Sequence, residues 1–120
     1  MELTSLIAAF ASLALGLLSF VYPQAGLRLV GLQLVPGLAH SISEVRATYG
    51  GIFIGMSLYA LVTQEPHAFL ALASAWLMAG FARILSAVID RAPTPANFAG
   101  IVVELAIGGL VAWPFLGHIL

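Results

Sequence analysis

The sequence predicts an all-α membrane protein: an antiparallel four-helix transmembrane bundle with an interfacial amphipathic segment between helices one and two. Three observations lead there. Of the 120 residues, 62% are apolar and only 8% are charged, whereas a soluble domain carries about a quarter charged residues. The mean hydropathy is +1.09. The apolar residues also fall into four stretches, each near the roughly 20 residues that a helix needs to cross a bilayer. Residues 1–120 therefore read as a single transmembrane domain in a lipid bilayer.

Helix one, about 3–22, carries no charge after Glu2. It lacks the basic start of a signal peptide and is long enough to span, so it is read as a helix. The connection that follows, "PQAGLRLVGLQLVPGLAHSI" at 23–42, is too apolar for an ordinary loop and too broken by Pro and Gly to span. Either it lies at the interface as a short amphipathic segment with Arg28 snorkelling, or its leucines pack over the helix ends. Helix two, about 43–62, turns at "TQEP" into helix three, about 67–89. The prolines of "DRAPTPAN" (90–97) stop helix three and start helix four, about 97–119, in which Pro114 bends the last turn.

Several function classes drop out. A net charge of −1 with no lysine excludes the basic stripe of a nucleic-acid binder. The absence of cysteine removes disulfides, thiolate metal sites and thiol redox chemistry. No metal signature, phosphate loop or nucleophile–base pair occurs, and no cofactor is implied. His40 and Glu44 stand four apart and could join a metal site, but a surface histidine at a helix start is the plainer reading. His67 and His118 fall on the opposite side, and the serines Ser5, Ser12, Ser19, Ser57 and Ser74 read as packing or back-bonding residues. Trp76, Trp113, Tyr22 and Tyr59 read as packing or interface anchors.

In spans that alternate in direction, the start of helix two, the end of helix three and the start of helix four share one side. Glu44, Arg46, Arg83, Asp90 and Glu104 all fall there. Arg83 lies seven residues before Asp90 and Glu104 seven after Asn97, so both sit about 10 Å below their helix ends. They are the expected ion pair. Arg46 and Asp90 are expected to form a second pair nearer the surface, with Glu44 joining either or facing water. Tyr49, a turn from Arg46, offers a hydroxyl to a carboxylate or ligand. Gly100, Glu104, Gly108 and Ala112 form a small-residue stripe that turns Glu104 into the bundle. Gly51 and Gly55 lie on the Glu44 stripe, and Gly50 shares one with Arg46, Tyr49 and Phe53. These glycines are expected to let helices approach in lipid. The charge cluster reads either as a ligand-binding site or as a structural ion network.

The stretch Glu44-Val45-Arg46-Ala47-Thr48-Tyr49-Gly50-Gly51, with Arg83, "PTPANFAG" and the "VVEL" around Glu104, resembles the bacterial domain-of-unknown-function 4345 family. That resemblance covers nearly the whole chain. It implies a small four-helix membrane protein, with Glu44, Arg46, Tyr49, Gly50, Gly51, Arg83, Asp90 and Glu104 as signature positions, and no activity. The turn "TQEPH" lacks the basic charge often found there in the family, which leaves orientation open. Arg28 and Arg91 would put their side in the cytoplasm by the positive-inside rule.

Three functions compete. The first is a module that binds or transports a small polar or amphipathic ligand, a lipid headgroup included, at the one-sided charge cluster. The second is a structural accessory subunit of a larger membrane complex. The third is an enzyme using the carboxylates for acid–base work, so whether the chain is an enzyme stays open. Homo-oligomers through the small-residue faces and a bacterial inner-membrane location complete the expectations.

Overall fold

The computed structural model describes residues 2–120. Every regular element among them is helical. Helix α1 runs Leu3–Val21 and a short α2 runs Pro23–Leu29. The second long helix is built in three pieces: α3 (His40–Val45), a π-helical segment (Arg46–Ile52) and α4 (Phe53–Thr63). Helix α5 runs Pro66–Ile89, and α6 runs Pro95–Ala112 into a 3₁₀ turn at Trp113–His118.

Four helical stretches are long and apolar enough to cross a membrane: Leu3–Val21, His40–Thr63, Pro66–Ile89 and Pro95–His118. The three longer ones have 24 residues each, about 36 Å at the α-helical rise, against a hydrocarbon core of about 30 Å. The expected spans are present, with ends shifted by a few residues. Pro66 and Pro95 each take the first helical turn, where a missing N–H costs nothing. Pro114 does more than bend helix four: it lies in a 3₁₀ turn.

Burial follows the rule for lipid rather than water. The interior is rich in small side chains, Ala8, Ala9, Ala60 and Ala73 among them, while Val62, Met78 and Val88 face outward. Bulky packing concentrates away from the charged end, where Phe69 stacks on Phe115 with ring centroids 4.9 Å apart. Phe53 and Trp76 stack at 5.0 Å. The molecule is flattened, with extents of 47 × 32 × 18 Å.

The 23–42 connection folds tightly. Pro23, Gly26 and Leu27 bury one face of α2. Gly31, at φ +78°, then takes the left-handed position that closes the helix. There the Leu32 N–H donates to the Leu27 carbonyl at 2.9 Å and the Gly31 N–H to that of Arg28 at 3.3 Å, the paired bonds of a Schellman cap. Pro36 and Gly37, the latter at φ +76°, sit at the centre of a type II turn in which the Leu38 N–H donates to the Val35 carbonyl.

Candidate functional site

Helices α5 and α6 make the most extensive contact in the molecule. Gly100 lies against Arg83, Leu105 against Gly80 and Gly108 against Leu77, so α6 retraces α5. This register brings Arg83 and Glu104 together. The Arg83 Nε donates to Glu104 Oε1 in the only ion pair among the described residues. Glu104 is buried at 7% exposure, and the Arg83 side chain is 30% exposed.

Two further groups fix the pair. Arg83 Nη1 donates to Asn97 Oδ1 at 3.2 Å, and Asn97 Nδ2 donates to the Ala92 carbonyl at 3.0 Å. Asn97 is itself held by the start of α6, where its backbone N–H donates to Thr94 Oγ1 at 3.2 Å, a helix cap. Gly100 supplies the room. A Cβ there would lie 2.8 Å from both Cζ and Nε of Arg83, so the guanidinium crosses α6 over a bare backbone to reach Glu104 one turn further on.

The second long helix behaves differently. Its charged start meets α1, with Gly50 packed against Phe20, and neither α3 nor the π-helical segment makes extensive contact with α5 or α6. The expected Arg46–Asp90 ion pair does not form. Asp90 instead accepts from the Ser86 hydroxyl at 2.6 Å, one turn back on its own helix. Glu44 and Arg46 are exposed and Tyr49 is half-buried. The physical reason is the partner of the second helix: it packs along α1 at this end and on α5 only through α4. Gly51 and Gly55 are exposed and face no other helix, whereas Gly100 and Gly108 are in close contact.

Residues 46–52 are the span's irregular part. A π-helix bonds each N–H five residues back instead of four, and such segments occur often at functional sites. Here it carries Arg46, Tyr49 and Gly50.

A second polar cluster had no counterpart in the sequence reading. The Ser57 hydroxyl donates to Ser12 Oγ at 2.8 Å, and the Trp76 indole N–H donates to the same oxygen at 2.9 Å. Both serines are fully buried. The knot ties α1, α4 and α5 together, while Ser5 ties α1 to the Val111 carbonyl of α6 at 3.1 Å. The signal was present in α1, where Ser5, Ser12 and Ser19 recur every seven residues and all three are buried.

His67 and His118 meet edge-on, with ring centroids 6.1 Å apart. No group of three or more metal-ligating side chains gathers among the described residues. One open groove lies beside α4 and α5, lined by Met56, Tyr59, Glu65, His67, Ala68 and Ala71, and another beside α2. Neither is lined by the Arg83–Glu104 network.

Residues 1–115 match the family model described as "Domain of unknown function (DUF4345)". No curated protein and no solved structure matches the chain.

Proposed function

The chain belongs to the DUF4345 family, and from that premise we propose a bacterial inner-membrane protein that crosses the bilayer four times and binds or transports a small polar or amphipathic molecule at its charged end. One observation carries this reading. Arg46 lies in the π-helical segment of a helix long and apolar enough to span, where it is exposed and has no ion partner. An arginine within a spanning helix is costly without a partner. A ligand's anionic group fits it, with the Tyr49 hydroxyl three residues on to donate a hydrogen bond.

The roles of the two arginines then divide. Arg83 is committed to Glu104 and Asn97 and stands apart from the ligand. Arg46 is the group that takes the ligand. Native mass spectrometry of the protein, extracted gently from its own membrane, tests this. A reproducible small-molecule adduct, lost in Arg46→Gln with folding intact, is the expected result. A bare chain, or an adduct indifferent to Arg46, overturns it.

A second reading, a structural accessory subunit, draws support from the closed Arg83–Glu104–Asn97 network, which is packed over Gly100. A protein partner that co-migrates stoichiometrically would favour it.

A further inference from the structure

We propose that α2 and the turn that caps it form a site for the phosphate group of an anionic phospholipid of the surrounding bilayer. The site is separate from the one proposed at Arg46.

The face of α2 opposite its anchor carries it. Pro23, Gly26 and Leu27 fasten the helix to the end of α1; at Gly26 a Cβ would lie 2.5 Å from Ser19 Oγ, so the approach is close. That leaves Gln24 and Arg28 exposed, one helical turn apart and therefore on a common face. The Gly31 cap then reverses the chain, and Gln24, Arg28, Leu32, Gln33 and Leu34 line a groove of about 320 Å³.

Charge chooses the occupant. Arg28 has no ion partner, and no carboxylate lines the groove. The polar lining is one guanidinium and two side-chain amides, a donor set that suits a phosphate oxygen. Position supports the same choice. The segment joins the end of one spanning helix to the start of the next, so it lies at the level of the headgroups. Its neighbours Leu29, Val30, Leu32, Val35 and Leu38 are all exposed, as they would be against acyl chains beneath those headgroups. A lipid satisfies both halves of this surface; a free phosphate satisfies only the first.

The test uses the full chain in detergent, with phosphatidylglycerol or phosphatidylcholine added and bound lipid counted by native mass spectrometry. The wild-type chain should retain phosphatidylglycerol preferentially. Arg28→Gln should lower that preference about fivefold, the effect of one basic side chain at an anionic surface, while Arg28→Lys keeps most of it. His67→Gln, at the opposite end of the spans, should leave the preference unchanged. A preference that survives Arg28→Gln overturns the proposal, as does the lack of any preference in the wild type. Displacement of the lipid by excess inorganic phosphate would assign the groove to the free ion and overturn the lipid reading. If Arg28→Gln fails to fold, Gln24→Leu with Gln33→Leu replaces it and should weaken the preference in the same direction.

Discussion

Substituting Gly100 with alanine should change sign with its background. The new Cβ would lie 2.8 Å from Cζ and Nε of Arg83 and 3.0 Å from Nη1, so the guanidinium must leave its seat. It would give up the charge-assisted bond to Glu104, about 1.5–3 kcal/mol, and the bond to Asn97, about 1 kcal/mol. The side chain is 30% exposed, so water takes over part of both and about 2 kcal/mol is the working loss. Alanine recovers about 1 kcal/mol of helix propensity relative to glycine. The net effect is a destabilisation of about 1 kcal/mol. In an Arg83→Ala/Glu104→Ala background no guanidinium occupies the space, and the same substitution should stabilise by about 1 kcal/mol. Unfolding free energies follow from titrating a denaturing detergent into mild-detergent micelles, with helicity read by circular dichroism. Equal effects in the two backgrounds would refute the argument that Gly100 exists to seat Arg83.

Three more outcomes follow from the packing. Ser12→Ala should cost about 1–3 kcal/mol, because it leaves the Trp76 indole N–H and the Ser57 hydroxyl unsatisfied in a buried position; Trp76→Phe in the same chain should recover part of the loss, read in the same unfolding assay. Arg91→Gly should raise stability by about 1 kcal/mol, since Arg91 holds φ +52° after α5, a left-handed conformation that costs a side chain about 1–2 kcal/mol; the shift in unfolding midpoint checks it. Gly50→Ala should cost about 1–3 kcal/mol by pushing a Cβ to 2.9 Å from the Phe20 Cβ, whereas Gly55→Ala, which meets nothing, should not destabilise the monomer. A cost at Gly55 that grows with protein concentration would instead reveal a homo-oligomer seated on that face.

Much of the fold was legible because lipid imposes a coarse rule. A spanning helix must be apolar over a set length, and the four spans stand out from the punctuation between them. The Arg83–Glu104 meeting was legible for a related reason: equal distances from a shared turn give equal depth. Lateral arrangement obeys no such rule. Depth alone matched Arg46 to Asp90 equally well, and only the packing of Gly50 on Phe20 shows that the second span leans toward α1 at that end. The π-helical segment was hidden too, because a hydrogen-bond offset leaves no mark in composition; Gly50 and Gly51 looked like ordinary thinning of a helix. The Ser12–Ser57–Trp76 knot was missed for want of a partner. A buried serine declares itself only when the residue that bonds it is known.

The π-helical segment also acts as a phase shifter. Each of its hydrogen-bonded rings holds one residue more than an α-helical ring, so the α3 side and the α4 side of one span are out of step. Removing a single residue between Arg46 and Ile52 would bring them back into step and swing the α3 end by about 100°. The lower half could keep Phe53 on Trp76 and Ser57 on Ser12 unchanged. The upper half would aim its charges elsewhere. The direction in which Arg46 looks is thus set by the π-helical segment and its seat on Phe20, separately from the α4 packing on Trp76 and Ser12.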